Sequence, residues 1–182
     1  MEWDKLWSIN KKIIDPVCPR HTAIREGRIM VTLANGPEKP FVRSMPRHKK
    51  FEGGGYKCTT YTRNIWIDRA DAVMISVDEE VTLMDWGNAI IKQIQRDEAG
   101  GEKREEGNDK KGKDEDFRSV VNPSTRKETS AFGDPNMRNL KRGDILQLER
   151  KGYYRCDVPF LKELKPIVLF SIPDGRRKNV SR

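Results

Sequence analysis

The chain has 182 residues, and its 36 lysines and arginines against 28 aspartates and glutamates give a formal net charge of +8. This length suits one ordinary domain or two small ones and excludes a typical multidomain enzyme. Hydrophobic and charged residues each make up 35% of the sequence, so the core must be modest. No apolar run approaches the roughly 18 residues of a membrane span. The composition predicts a soluble intracellular protein with a polyanionic partner.

The basic charge is concentrated near the C-terminal end. Residues 1–95 carry a net charge of +3, residues 96–117 carry −3, and residues 118–182 carry +8. A basic region of this kind attracts nucleic acid, although a basic surface can also simply keep a protein soluble. The N-terminus has no basic segment followed by an apolar stretch, so no secretory signal is predicted. The three cysteines are widely separated and predict neither a disulfide framework nor a zinc site.

The first predicted element is a helix over 3–17, because apolar side chains recur there at spacings of three and four. Two Xaa-Pro pairs, Asp15-Pro16 and Cys18-Pro19, end this pattern. The apolar period then changes to two, and short strands are predicted over 28–33, 64–68, 80–85, 89–95, 144–150, 153–157 and 167–172. Hairpin turns are predicted at 86–89 and 151–152. Many short strands behind one leading helix predict a mainly β fold built as a β-barrel.

Two stretches lack the pattern of packed structure. Residues 35–56 contain three prolines and the run Gly53-Gly54-Gly55, and they predict a long loop. Residues 97–116 are almost entirely charged residues and glycine, a composition that predicts a disordered linker. A short helix is predicted to follow over 114–121, where Asn122-Pro123 ends it.

Catalytic patterns are absent from the sequence. No glycine-rich phosphate loop of either common spacing is present, and the Gly53-Gly54-Gly55 run lacks the lysine and the helix that would follow it. The only histidines, His21 and His48, lie away from any cluster with metal-ligand spacing. No nucleophile elbow accompanies them. The chain alone is therefore predicted to be non-catalytic and to hold no metal.

Several segments have sequences that are specific enough to indicate a family. The first 24 residues, beginning Met-Glu-Trp-Asp-Lys-Leu-Trp, resemble the junction at which eukaryotic-type glutamyl-tRNA synthetases pass from the catalytic half into the anticodon-binding half. Further segments resemble later parts of that region; they are 65–71, 81–88, 113–123, 133–157 and 172–175. The resemblance implies two anticodon-binding β-barrels, proximal and distal, with the leading N-terminal helix before them.

This resemblance also implies a division of the chain. The implied parts are a leading helix and barrel entry over 1–24, proximal barrel strands over 25–96, the charged linker over 97–116, a partial distal barrel over 117–160, and a return strand with a basic tail over 161–182.

The family's anticodon contacts fall on four residues of this sequence. Arg20 stands in the Pro-Arg motif, and Gln147 and Arg150 stand in the Gln-Leu-Glu-Arg motif. Asn35 is a weaker match, to a loop asparagine. Arginine presents a planar fork and glutamine an amide donor and acceptor, which suit the reading of unstacked loop bases. Without the resemblance, Gln147 and Arg150 are exposed strand residues and Arg20 is an ion-pair partner.

The resemblance implies partners and cofactors as well. They are the anticodon of tRNA(Glu), the synthetase catalytic domain, and a multi-synthetase complex in the cytoplasm, whereas ATP and Mg²⁺ belong to the catalytic domain, which this sequence lacks. Between Gln95 and Lys113 the family has further distal-barrel strands, and here only the charged linker is present. Two other functions stay open: a general RNA-binding β-barrel, and a protein-interaction module that docks through Trp3, Leu6 and Trp7.

Overall fold

The computed structural model describes residues 2–95 and 127–175. The chain divides into two compact units. The first unit combines Met1–Arg69 with Ser130–Arg182, and the second unit is Ala70–Thr129. The predicted linker over 97–116 and the predicted helix over 114–121 lie outside the described residues, and the division into proximal and distal barrels stays a prediction.

The leading helix, α1, spans Trp3–Ile14. Asp4 in its first turn and two lysines in its last turn complement the helix dipole. The rings of Trp3 and Trp7 stack one turn apart, with their centroids 6.0 Å from each other. The helix ends at Ile14 with Asp15 as its C-cap, because the following Pro16 has no N–H to continue the helical hydrogen bonds. The helix is confirmed, and it is three residues shorter than the sequence predicts.

The remaining elements are mostly short strands. They are β1 (Arg20–His21), β2 (Ala23–Arg25), β3 (Ile29–Thr32), β4 (Phe41–Pro46), β5 (Tyr56–Tyr61), β6 (Asn64–Ile67), α2 (Arg69–Met74), β7 (Glu80–Leu83), β8 (Gly87–Ile90), β9 (Ala131–Gly133), β10 (Ile145–Leu148), β11 (Gly152–Val158) and β12 (Val168–Ile172). Short 3₁₀ helices cover Glu52–Gly54 and Pro135–Asn139. No helix among the described residues is long and apolar enough to cross a membrane.

One four-stranded sheet organises the first unit. Its order is β1-β10-β11-β12, with β1 and β10 parallel and the other neighbours antiparallel. The other described strands form the pairs β2–β9, β3–β6, β4–β5 and β7–β8. The mainly β fold with a leading helix is confirmed, and within the described residues the strands form these separate sheets rather than one closed barrel.

Alternation along the strands gives the four-stranded sheet two different faces, because successive side chains point to opposite sides. The apolar face carries Leu146, Leu148 and Cys156, which form a buried cluster with Met137 and Leu140. The polar face carries the register partners Arg20, Gln147, Tyr153 and Ile172. The end of α1 covers part of the polar face, where Ile14 and Cys18 pack with Tyr153.

The predicted loop over 35–56 is wrong. Phe41–Pro46 forms β4, which pairs with β5 from Tyr56 onward. The Phe41 ring stacks on Tyr61 at a centroid distance of 5.2 Å, and the Arg43 guanidinium lies over both rings. Proline is tolerated here because Pro46 lies at the end of its strand. The prolines and glycines therefore mark the ends of a hairpin, and the cross-strand aromatic pair supports its middle.

The second unit contains the hairpin of β7 and β8. Its turn lies at 84–86, where Asp85 has φ of 61°, so the predicted turn at 86–89 and the strand over 89–95 are displaced. Thr82 donates a hydrogen bond to Asn88, and Asn88 donates one to Glu80, at 2.9 and 2.8 Å. None of the described residues of this unit is buried. These exposed polar contacts add to the backbone hydrogen bonds between β7 and β8.

Candidate nucleic-acid interface

Two residues singled out by sequence are direct neighbours in the four-stranded sheet. Arg20 in β1 pairs with Gln147 in β10, in parallel register. The backbone N–H of Gln147 donates to Pro19 O at 2.9 Å, and the N–H of Glu149 donates to His21 O at 2.9 Å. Paired residues of neighbouring strands project from the same face. The structure therefore brings Arg20 and Gln147 together on the polar face.

Arg20 is held at both its backbone and its side chain. Its backbone N–H donates to Arg47 O at 2.7 Å, and its carbonyl oxygen accepts from Lys57 Nζ at 3.0 Å. Its Nη2 lies 3.5 Å from Asp15 Oδ1. The Nε atom is buried and has no hydrogen-bond partner among the described residues. Arg20 thus has one anchored guanidinium nitrogen and one unused donor.

Gln147 is half-buried between two partners on the same face. It pairs with Arg20 on one side and with Tyr153 on the other. Its side-chain Oε1 is buried and, within the described part of the chain, accepts no hydrogen bond. A buried polar atom without a partner costs free energy, on the order of 1–3 kcal/mol. An unused donor and an unused acceptor therefore stand on adjacent strands.

Arg150 lies in the turn between β10 and β11. Its φ of 65° is left-handed, and its side chain is exposed. Lys151 closes the turn through a hydrogen bond from its N–H to Leu148 O at 2.9 Å. The Lys151 ammonium donates to Asp68 Oδ2, which fixes the turn against the end of β6. Burial alone would raise the pKa of Asp68, but the hydrogen bonds from Lys151 and the Arg25 N–H, together with the charges of these two residues, outweigh burial and lower this pKa.

Asn35 lies in another part of the first unit. It is exposed in the turn after β3, which the N–H of Gly36 closes onto Leu33 O at 3.0 Å. The hydrogen bond described across this turn comes from Arg63 Nη2 to Ala34 O at 3.5 Å. Asn35 thus belongs to the β3–β6 pair, whereas the other three predicted residues belong to β1, β10 and the turn after β10.

Sequence reasoning missed Asp15 and weighed Tyr153 only as a core residue or a stacking aromatic, not as a partner of Asp15. The Tyr153 hydroxyl donates to Asp15 Oδ1, the same oxygen that faces Arg20. Burial and then the Asp15 carboxylate raise the pKa of Tyr153, so its hydroxyl stays protonated as a donor. Asp15 and Tyr153 lie far apart in sequence, and the only local signal for Asp15 is its place before a proline at the helix end.

A second missed group, the buried polar cluster, consists of His21, Lys57, Asp134 and Asn136. Asp134 Oδ2 lies 3.6 Å from His21 Nδ1 and 3.8 Å from Lys57 Nζ, and the N–H of Asn136 donates to Asp134 Oδ1 at 2.7 Å. Burial raises the pKa of Asp134, but the contacts with His21 and Asn136 outweigh burial and lower it to about 2. Since Lys57 also donates to Arg20 O, this cluster supports the strand that carries Arg20.

Two features that the sequence leaves in question can be located in the described residues: metal-ligand clusters and the triple-glycine run. Among the described residues there is no group of three or more His, Cys, Asp or Glu side chains that could hold a metal ion. The Gly53-Gly54-Gly55 run leads into β5 rather than into a helix, so it does not form a phosphate loop.

Family models for the anticodon-binding domain of class I tRNA synthetases (E and Q) match residues 18–108 and 104–157. The first match contains Arg20 and Asn35, and the second contains Gln147 and Arg150. The chain belongs to this family of anticodon-binding domains.

The chain is also similar to individual proteins whose names include glutamate--tRNA ligase. It is 55% identical to the cytoplasmic glutamate--tRNA ligase of Arabidopsis thaliana over 214 aligned positions, which include 97% of this chain. It is 39% identical to the cytoplasmic glutamate--tRNA ligase of Saccharomyces cerevisiae, with 98% of the chain covered. A bifunctional glutamate/proline--tRNA ligase of Drosophila melanogaster is 33% identical. The chain spans 30% of the length of the Arabidopsis and yeast relatives and 13% of the Drosophila relative.

Proposed function

We propose that this chain is the anticodon-binding module of a glutamyl-tRNA synthetase and recognises tRNA(Glu) in the cytoplasm. It acts by binding and performs no chemistry itself. Glutamate activation with ATP and Mg²⁺, and transfer to the tRNA end, belong to a catalytic domain outside this sequence. The names of the relatives, with their shared anticodon-binding region, support this proposal.

The observation that carries the proposal is the pair of unused polar atoms on the polar face. Arg20 Nε is a donor, Gln147 Oε1 is an acceptor, and neither has a hydrogen-bond partner among the described residues. Buried polar atoms in native proteins are otherwise nearly always hydrogen-bonded. A ligand that supplied both missing bonds, after small rotations of the two side chains, would remove this cost.

The unused atoms also favour one kind of base edge. A donor from Arg20 and an acceptor on Gln147 complement an edge on which a carbonyl oxygen stands beside an N–H group. Uracil and guanine present such an edge, and an unstacked loop base exposes it to a protein. We therefore assign base reading to Arg20 and Gln147.

Arg150 stands on the turn next to this pair. Its guanidinium can bind a base edge with two parallel hydrogen bonds or bind a phosphate. The net charge of +8 within residues 118–182 supplies attraction for the RNA backbone. We assign Arg150 to base contact beside Gln147, and Asn35 to a separate RNA contact from the β3–β6 side of the unit.

The first test compares two RNA hairpins, one with the tRNA(Glu) anticodon loop and one with an unrelated anticodon in the same stem. Arg20→Ala should weaken binding of the first hairpin about tenfold or more, because a good base contact contributes about 1–3 kcal/mol of discrimination. It should have a smaller effect on the second hairpin. Arg142→Ala is the matched control, because Arg142 is an exposed arginine that also pairs with an aspartate, at 3.4 Å. An equal loss for both hairpins with Arg20→Ala would reduce the proposal to general RNA binding.

Arg150 is tested by the same two hairpins. Arg150→Lys keeps the positive charge and removes the planar fork. If Arg150 reads a base, the lysine variant loses discrimination almost as fully as Arg150→Ala. Full binding and discrimination by Arg150→Lys would make Arg150 a phosphate contact.

A second candidate function, docking to other proteins of a synthetase assembly, is favoured by the surface of α1. Trp3 is 67% exposed and Ile13 is 66% exposed, and Trp3 stacks on Trp7. The Drosophila relative joins two ligase activities in one chain. RNA binding that falls steeply with salt and survives Trp3→Ala would favour the RNA function. RNA binding that Trp3→Ala abolishes would assign the RNA contact to α1 instead.

A further inference from the structure

Asp15 occupies a junction between α1 and the polar face. It is the C-cap residue of α1, and its backbone N–H donates to Lys11 O at 2.9 Å. Its side chain points to the polar face, where Oδ1 faces Arg20. Asp15 therefore connects a rigid helix end to the arginine to which we assign base reading.

A buried histidine fixes the backbone of Asp15. His48 is 3% exposed, and its Nδ1 accepts the backbone N–H of Lys50 at 3.1 Å. Its Nε2 then carries the proton and donates to Asp15 O at 3.0 Å. The carbonyl group of Asp15 is thus fixed by His48, and the His48 ring is fixed in turn by the backbone N–H of Lys50.

A buried tyrosine fixes the carboxylate of Asp15. The Tyr153 hydroxyl donates to Oδ1, and the Tyr153 ring is buried with Ile14 and Cys18. Arg20 Nη2 lies 3.5 Å from the same oxygen. One carboxylate oxygen is therefore shared between a fixed donor and the guanidinium.

The Asp15–Arg20 pair is a poor candidate for a purely stabilising interaction. Its side chains are 41% and 28% exposed, and partly exposed ion pairs contribute little to folding. The same contact has a clear consequence for binding, because a guanidinium held in one orientation loses less side-chain freedom when a ligand arrives. The geometry favours orientation of Arg20 over support of the fold.

We propose that Asp15 is a positioning residue for anticodon recognition: its carboxylate, held by Tyr153, orients the Arg20 guanidinium beside Gln147. This inference rests on the proposed function, because it assumes that Arg20 reads a base. Asp15 itself does not contact RNA. It acts through Arg20, and Tyr153 acts through Asp15.

The test uses the full chain, the two hairpins described above and the substitution Asp15→Asn. Removal of a negative charge should by itself strengthen binding to RNA. Positioning predicts the opposite: about tenfold weaker binding of the tRNA(Glu) hairpin, a smaller change for the unrelated hairpin, and an almost unchanged melting temperature. Asp157→Asn is the matched control, because Asp157 also pairs with an arginine, at 3.4 Å. It should leave RNA binding equal or stronger.

Two further variants separate orientation from folding. Tyr153→Phe keeps the buried ring and removes only the hydroxyl, so it should reproduce part of the Asp15→Asn loss. Asp15→Glu keeps the charge and moves the carboxylate, so it should fail to restore discrimination. Unchanged discrimination in Asp15→Asn and Tyr153→Phe would overturn the proposal.

A double-mutant cycle makes the outcome independent of protein stability. If Asp15 acts through Arg20, Asp15→Asn should have no further effect on hairpin discrimination once Arg20→Ala is present. Additive losses would overturn positioning and leave the assignment of Arg20 intact. No loss of discrimination with Arg20→Ala alone would overturn the proposed function instead.

Discussion

The two faces of the four-stranded sheet differ in composition, although each includes a buried polar atom without a hydrogen-bond partner among the described residues. On the apolar face, Leu146 and Cys156 are 0% exposed and pack in one cluster. On the polar face, Arg20 and Gln147 each keep a buried polar atom without a partner among the described residues. His21 Nδ1, on the apolar face beside Leu148, has no such partner either, so both faces tolerate this cost and the polar face differs in carrying two of these atoms on adjacent strands. Departures from local satisfaction are expected at functional sites.

The largest effect that separates the two faces is expected from Leu146→Ala. Removing this fully buried side chain leaves a cavity on the apolar face and should lower the free energy of unfolding by about 2–5 kcal/mol. Ile145→Ala, its neighbour on the opposite face and 37% exposed, should cost clearly less. Urea unfolding of both variants measures the difference. Equal costs would break the division between the faces.

The buried polar cluster should make the free energy of unfolding depend on pH in the acidic range. Asp134 has a pKa of about 2 in the fold against 3.8 as its ordinary value, so the ionised form is favoured by folding. This contribution, about 2 kcal/mol, is fully present above pH 3.8 and is lost as the pH falls toward 2. Unfolding free energies measured between pH 5 and about pH 2 should fall more steeply for the wild type than for Asp134→Asn. Parallel curves would contradict the role of Asp134.

A smaller loss of stability is expected when the contact between α1 and the chain after β12 is disturbed. Gly175 has φ of 70°, and a Cβ there would lie 2.6 Å from Ser8 Oγ and 2.8 Å from Asp4 O. Gly175→Ala should therefore lower stability by about 1–3 kcal/mol, through both backbone strain and this clash. Gly27→Ala is the control, because Gly27 also has a positive φ, of 79°, but nothing lies within 4 Å of its added Cβ. The difference between the two melting temperatures isolates the clash, and a larger loss for Gly27→Ala would contradict the packing of Gly175 on α1.

The smallest effect on stability, of opposite sign, is expected from Gln147→Met. Methionine has a similar length and removes the buried acceptor that has no partner, so stability should stay equal or rise by up to about 1 kcal/mol. Discrimination between the two hairpins should nevertheless fall. A stability loss above about 1 kcal/mol would show that the amide has a structural role.

Much of the fold follows from local patterns in the sequence. The apolar run within 144–150 predicts β10, which the structure confines to Ile145–Leu148. The apolar spacing in Trp3–Ile14 predicts α1, with an error of a few residues at the end. The loop prediction for 35–56 failed because prolines and glycines were counted without the cross-strand pair Phe41–Tyr61, which no local pattern reveals.

The site could be predicted only in part. Gln147 and Arg150 share a motif, and only family resemblance relates Arg20 to them, since periodicity does not reveal that β1 and β10 are neighbours. Asp15 and Tyr153 come together through tertiary packing, as do Lys151 and Asp68. Such contacts depend on the arrangement of strands, which a single sequence does not specify. The assignment of the four residues to RNA contact stays a prediction.

The parallel pairing of β1 with β10 has a consequence for how this protein can change. Its two strands are joined by a long excursion of chain, and the entropy of closing such a loop grows only logarithmically, by about 0.6 kcal/mol for each doubling of length. Segments can therefore be gained or lost between the two strands with little penalty, provided that their register is kept. The alignment with the Arabidopsis relative, 214 positions long for a chain of 182 residues, includes positions that this chain lacks. Variation in chain length is thus compatible with this pairing of β1 and β10.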